Sequence, residues 1–248
     1  MMDDAALAAH LAETAGRILL AVRDSGIFSA KALGKVGDQV ANQFLVHALR
    51  EARPNDGLLS EEMKCDGSRL DSARVWIIDP LDGTREYGEG RSDWAVHVAL
   101  AVDGAATIGA VALPGLGLTF CSGSPPPLAS ANVPPKMLVS RTRPSAQAIA
   151  VAEAMGATLV AMGSAGAKAM AVVRGEADIY LHTGGQYEWD NCAPVAVAQA
   201  AGLHVSRADG SPLCYNCTNP YLPDLLICRP ELAEEVLGQY AALSTPKS

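Results

Sequence analysis

The segment Asp79-Pro80-Leu81-Asp82-Gly83-Thr84 sets two carboxylates three residues apart, directly after the apolar run Val75-Trp76-Ile77-Ile78. That run has no helical period and reads as a strand buried on both faces, which would deliver Asp79 to its carboxyl end. Pro80 is expected to halt pairing there, and Asp82 to turn back toward the same point. Two carboxylates forced together repel unless a cation lies between them, and hard oxygen donors select Mg²⁺, Mn²⁺ or Ca²⁺ over softer metals. Gly83-Thr84 looks like a helix start, whose free backbone N–H groups would receive a phosphate. Taken alone, the pattern equally describes an acidic turn capping a helix. Other acids shift that balance: Leu58-Leu59-Ser60-Glu61-Glu62 is a short apolar strand ending in acids, and Trp189-Asp190 opens an apolar helix. Each of these acids falls at the end of an expected element, where side chains can converge on a cleft.

The elements that must position them follow from periodicity. Leu7, Leu11, Ile18, Leu19 and Val22 mark a first helix ending near Ser25-Gly26, and a second is expected from about Val36 to Arg53, with Asp38 near its start. Runs at 94–102, 107–113 and 118–122, broken by Asp103-Gly104 and Pro114-Gly115-Leu116-Gly117, predict an antiparallel meander. The proline-rich stretch 123–136 divides the chain into halves, 1–123 and 137–248. After it, strands at 137–140, 158–162, 177–181, 203–206 and 225–228 alternate with helices at 144–155, 165–174, 190–201 and 230–243. The first half therefore reads as α+β and the second as an α/β layer.

A formal net charge of -8, with no stripe of Lys or Arg, argues against a nucleic-acid polymer or an anionic membrane as partner. The acidic start Met1-Met2-Asp3-Asp4, and the lack of a long uninterrupted apolar span, lead to a cytoplasmic expectation. Six scattered cysteines, at 65, 121, 192, 214, 217 and 228, read as reduced thiols. Cys214 and Cys217 have C-x-x-C spacing, but neither a second pair nor a suitably spaced His accompanies them. His47 and His97 lie in apolar periodic runs and read as packed or surface residues rather than ligands.

In combination and in this order, Asp38, Ser60-Glu61-Glu62, Asp79-Pro80-Leu81-Asp82-Gly83-Thr84, Gly163-Ser164 and Glu188-Trp189-Asp190 resemble the lithium-sensitive, magnesium-dependent phosphatases that include inositol monophosphatases, fructose bisphosphatases and bisphosphate nucleotidases. The resemblance implies a layered α-β-α-β-α sandwich of the sugar-phosphatase type with two or three Mg²⁺ per site. It implies that Glu61, Asp79 and the Leu81 carbonyl hold one ion, that Asp79, Asp82 and Asp190 hold a second, and that Asp38 sits by the water of a third. Hydrolysis would proceed by metal-assisted attack of water without a phosphoenzyme, Thr84 with Asp38 or Glu61 orienting and deprotonating that water. Glu62 would stand outside the ligand set. The substrate would meet Gly83, Thr84, Arg85, Gly163, Ser164 and Lys168, the last reaching a remote phosphate. Related enzymes are often dimers; the meander could serve as a pairing surface, or its strands could equally be covered within one chain.

Two features choose a branch. Arg85-Glu86-Tyr87 is similar to the Lys-Glu-Phe of CysQ-type bisphosphate nucleotidases, and Thr183 stands where inositol-specific enzymes place a sugar-reading Glu. The resemblance thus points to the 3′-phosphate of 3′-phosphoadenosine 5′-phosphate, with inositol 1-phosphate and fructose 1,6-bisphosphate as alternatives. A haloacid-dehalogenase-type enzyme would need a nucleophilic Asp where Pro80 stands. A metal-dependent binding or regulatory module of the same fold is the non-enzymatic alternative, and the complete catalytic set weighs against it.

Overall fold

The computed structural model describes residues 2–64 and 67–244, so Cys65 lies outside the described residues. The chain opens with α1 (Asp4–Asp24) and α2 (Ala30–Ala52), followed by β1 (Gly57–Ser60), β2 (Arg74–Asp82) and the short α3 (Thr84–Gly88). Next come β3 (Ala95–Val102), β4 (Ala105–Leu113) and β5 (Leu118–Cys121), which complete a first sheet in the order β1-β2-β3-β4-β5. The remainder is β6 (Lys136–Ser140), α4 (Ala146–Ala154), β7 (Thr158–Met162), α5 (Ala165–Val173), β8 (Ile179–His182), β9 (Gln186–Tyr187), α6 (Glu188–Ala200), β10 (His204–Ser206), β11 (Tyr221–Leu222), β12 (Leu225–Cys228) and α7 (Ala233–Ser244). Its main sheet runs β10-β12-β8-β6-β7, while β9 and β11 pair separately.

Three clusters of buried apolar side chains show the layering. One joins α1 and α2 to one face of the first sheet through Leu11, Leu45, Trp76 and Val98. A second fills the space between the sheets with α5 and α6, and draws on Ile77, Ala99, Met170, Val197 and Ile227. The third lies beneath α4 and α7 on the outer face of the second sheet. The result is the α-β-α-β-α sandwich that the resemblance implied. The small residues Ala95, Ala99 and Ala101 face the middle layer, where Gly109 of β4 meets the backbone of Ala193 so closely that a Cβ would overlap its carbonyl. That close approach brings the start of α6 over the end of β2.

Three expectations change. Pro80 does not end the strand: β2 continues to Asp82 across an irregularity in which Asp79 pairs with His97 and Asp82 with Ala95. Three steps along β2 thus match two along β3, the signature of a bulge. Because side chains alternate along a strand, the extra residue places Asp82 on the same face as Asp79. Second, α2 begins at Ala30, behind Ser29, about two turns before the expected start. Gly34 and Gly37 disguise its first turns in the sequence, yet each is needed: Gly34 abuts Thr84, and Gly37 abuts Tyr87, Leu19 and Leu81. Asp38 accordingly lies well inside the helix.

The third change concerns α1. Among the described residues it is the one helix long and apolar enough by length and composition to cross a membrane, with a mean hydropathy of 1.3. Its stripe Leu7, Leu11, Ala15 and Leu19 is nevertheless buried in the first core cluster, as a core helix requires. Cys121, Cys192, Cys214, Cys217 and Cys228 are free thiols, and Cys192 and Cys228 are buried.

Candidate metal and substrate site

The bulge, the end of β1 and the first turn of α6 meet at one point. Oxygen atoms of Asp79, Asp82 and Asp190 lie within 4.8 Å of one another. Asp79 is 1% exposed; burial, then the charges of Glu61, Asp82, Asp190 and Asp38, push its carboxyl well above the ordinary value. Glu61 follows β1, its backbone N–H donating to the Ile78 carbonyl at 3.4 Å. As a residue it is exposed, but its carboxyl is desolvated and faces Asp190 and Asp38, which raise its pKa to about 7 against an opposing hydrogen bond with Asp79. Burial and the Asp82 charge raise Asp190 to about 6, opposed by the Tyr187 N–H, which donates to its carboxylate at 2.6 Å. Such crowding, which His97 and Lys168 offset at Asp82 but not at Asp79, is the electrostatic demand that a bound divalent ion meets, and an all-oxygen donor set suits a hard one. The residues present therefore fit a metal centre.

Asp82 differs from its neighbours. Burial would raise its pKa, but His97, the Gly166 N–H and Lys168 outweigh this and lower it. The first backbone N–H groups of α5 donate to it, from Ala165 at 3.2 Å and Gly166 at 2.6 Å. His97 is fully buried, with Nε2 3.2 Å from Asp82 Oδ2 and Nδ1 3.0 Å from the Trp189 carbonyl. A carbonyl can only accept, so Nδ1 carries a proton, and an unprotonated Nε2 would set its lone pair against the carboxylate. Burial lowers the His97 pKa, but the Asp82 carboxylate 3.2 Å from Nε2 more than reverses this. His97 is thus a packed residue, as expected, and also the link between β2 and α6.

Around this cluster, Thr84 Oγ1 lies 3.2 Å from Asp38 Oδ2 and 3.2 Å from the Leu81 carbonyl, to either of which it can donate its one proton. The other Asp38 oxygen is buried without a partner among the described residues. Burial, then the Glu62 charge, raise Asp38 to about 7 against the Thr84 hydrogen bond. Gly83 holds φ at 92°, and a Cβ there would press on Ser164 and Trp94. Because α3 has only five residues, its macrodipole is a weaker phosphate receptor than expected.

A cleft of about 520 Å³ runs from Asp82, Thr84 and Asp190 past Gly163, Ser164 and Lys168 to Arg143 and Tyr221. Arg85 is exposed at its edge. Lys168 lines the cleft but is 3% exposed, its ammonium turned onto the carbonyls of Gly163 and Ser164 and lying 5.3 Å from the Tyr180 ring centroid. Burial lowers its pKa to about 8. It therefore pins the Gly163-Ser164 turn, with little donor capacity left for a remote phosphate. Gly166 serves packing: a Cβ there would overlap the His97 ring. Thr183 donates to Gln147 at 3.3 Å.

The chain matches the inositol monophosphatase family over residues 5–242. It belongs to that family. As a member, it is 49% identical to 3′-phosphoadenosine 5′-phosphate phosphatase of Mycobacterium leprae, over 96% of this chain and 93% of the relative. Inositol monophosphatase II from Staphylococcus aureus superposes with a TM-score of 0.81 at 19% identity, covering 94% of each chain. CysQ from Bacteroides thetaiotaomicron superposes with a TM-score of 0.80 at 23% identity, over 91% of this chain and 97% of that one. Membership of this family of metal-dependent phosphatases accords with the acidic cluster at Asp79, Asp82 and Asp190.

Proposed function

We propose that this member of the family is a Mg²⁺-dependent phosphomonoesterase that hydrolyses the 3′-phosphate of 3′-phosphoadenosine 5′-phosphate. The observation that carries the reading is the convergence of Asp79, Asp82 and Asp190 beside the Thr84–Asp38 pair at one end of a cleft. Glu61, Asp79 and the Leu81 carbonyl would hold one ion and Asp79, Asp82 and Asp190 another, with Asp38 beside the water of a third. When bound, such ions neutralise phosphoryl oxygens and acidify water.

The chain's own groups supply the proton path. Asp38, raised to about 7 and with one oxygen free of partners among the described residues, is suited to accept a proton near neutrality. Thr84 can accept a hydrogen bond from the attacking water while passing its own proton toward Asp38, so the pair both orients and deprotonates. Gly83, Gly163 and Ser164 keep the approach to the ester narrow. Arg85 has no ion-pair partner among the described residues, and it favours a substrate with a second phosphate. The 49% identity to a phosphatase of this nucleotide supports the same choice. We further infer a cytoplasmic enzyme acting on a small phosphorylated metabolite, sensitive to lithium, with homodimerisation through the meander.

The test is phosphate release from 3′-phosphoadenosine 5′-phosphate, inositol 1-phosphate and fructose 1,6-bisphosphate across a Mg²⁺ titration. The expected result is a kcat/KM at least about tenfold higher for the nucleotide, which takes about 1.4 kcal/mol of selective binding. Equal or reversed preference defeats the nucleotide assignment. Release that is indifferent to divalent ions defeats the metal assignment.

A further inference from the structure

Away from the acids the cleft changes character. Of the carboxylates lining it, Asp82 and Asp190 belong to the metal cluster, and Glu86 is paired with Arg141 at 2.8 Å. Among the described residues, the far wall therefore offers no free carboxylate to take up the hydroxyls of a bare polyol. It offers two aromatic rings instead. Tyr187 and Tyr221 line the cleft and are 45% and 46% exposed, whereas Trp76, Trp94, Tyr87 and Tyr180 are all at most 1% exposed. Leaving two rings in water forgoes their burial, which calls for an occupant.

Both rings are fixed in advance. Tyr187 stacks on Trp189 with centroids 4.8 Å apart and planes 8° from parallel. Tyr221 meets Tyr187 edge-on, with centroids 5.9 Å apart and planes at 78°. The two residues face each other across the β9–β11 ladder, so the backbone sets their spacing. Gly185, with φ at 82°, leaves the room that the Tyr221 ring fills, since a Cβ there would overlap its phenol. The hydrogen bond from the Tyr187 N–H to Asp190 ties the aromatic wall to a carboxylate of the metal cluster three residues along.

We propose that Tyr187 and Tyr221 form the platform on which the purine ring of the substrate stacks while its phosphate ester lies at the acids. This rests on the nucleotide reading above and extends it to the base. A flat ring pre-ordered by stacking and by a backbone ladder binds a base with little further ordering, and one base–aromatic stack accounts for about tenfold in affinity. The phenol edges at the wall can add hydrogen bonds to ring nitrogens, which a sugar alone does not present.

Calorimetry separates the platform from turnover. The intact enzyme should bind adenosine 5′-monophosphate at least about tenfold more tightly than ribose 5-phosphate, and Tyr187→Ala should erase most of that difference. Tyr187→Phe, which keeps the stacking face, should retain it. Tyr221→Ala lies outside α6 and should narrow the difference without disturbing the Asp190 hydrogen bond, a control in case Tyr187→Ala unsettles the helix start. Equal affinity of the unaltered enzyme for the two ligands, or a difference that survives both alanine variants, overturns the platform. A base-dependent affinity together with no hydrolytic preference for the 3′-phosphorylated nucleotide sinks the substrate assignment alone and leaves the platform standing.

Discussion

His97 Nε2 lies 3.2 Å from Asp82 Oδ2, and the opposite nitrogen of the same ring lies 3.0 Å from the carbonyl of Trp189, the residue before Asp190. One buried ring thus fixes the spacing between two acids that come from different halves of the chain. His97→Leu keeps comparable bulk but leaves Asp82 without its counter-charge. A loss of about 3 kcal/mol in stability and about tenfold or more in divalent-ion affinity is expected. Mg²⁺-dependent thermal shifts of the variant and parent check it; an unchanged ion affinity would remove His97 from the metal site.

The acids predict an inverted pH response in the metal-free protein. Asp38 and Glu61 are raised to about 7 and Asp190 to about 6, above their ordinary values near 4. The folded chain therefore holds more protons than the unfolded chain between about pH 4 and 7, and its stability should fall as pH rises through that window. Divalent ions, which bind the deprotonated acids, should stabilise more at pH 8 than at pH 6. Melting curves with chelator and with Mg²⁺ at both values decide it; a metal-free melting temperature that climbs from pH 5 to 7 would contradict the crowding.

Asp190→Asn removes one of the mutually repelling charges. Hydrolysis should drop by about a thousandfold, since a ligand carboxylate is lost. The metal-free protein should gain on the order of 2 kcal/mol at pH 7.5, because a group raised to about 6 no longer has to ionise in the fold. Chemical denaturation in chelator measures the second effect. Loss of both activity and stability would mean that Asp190 is held by favourable contacts.

Thr84→Ala should lower kcat by about a hundredfold with KM little changed, since the hydroxyl contacts Asp38 and the Leu81 carbonyl and is assigned to the attacking water. Thr84→Ser should restore most of the rate. If serine does not rescue, the methyl group packed on Gly34 is the important part of this residue.

Gly166→Ala is the packing counterpart. Its new methyl would overlap the His97 ring, and both neighbours are buried, so a cost of about 2 kcal/mol or more is expected by denaturant titration. A neutral substitution would show that α5 can lift away from β3.

Much of this was readable from local pattern. The apolar run before Asp79 marks a strand, and acids at the ends of other elements mark the cleft, since burial and periodicity act over a few residues. What escaped depends on contacts between distant segments. The early start of α2 is masked by Gly34 and Gly37, whose reasons are Thr84 and Tyr87 across the interface. His97 sits in an apolar alternation like any strand residue, and only its register opposite Asp79 exposes its role. The use of the α5 N-terminus on Asp82 joins residues more than 80 positions apart, which no spacing rule reports. The two-residue strands β9 and β11 are too short to leave a period at all.

The irregularity in β2 also limits how this segment can vary in length. Deleting Leu81 would restore regular pairing with Asp82 still on the face of Asp79, but would remove the carbonyl assigned to one ion; inserting one residue before Asp82 would displace its carboxylate from the Ala165 and Gly166 N–H groups. Insertions and deletions between 79 and 82 should therefore be far less tolerable than most single replacements, and a length-variant library of that tetrapeptide would show active members only at its present size.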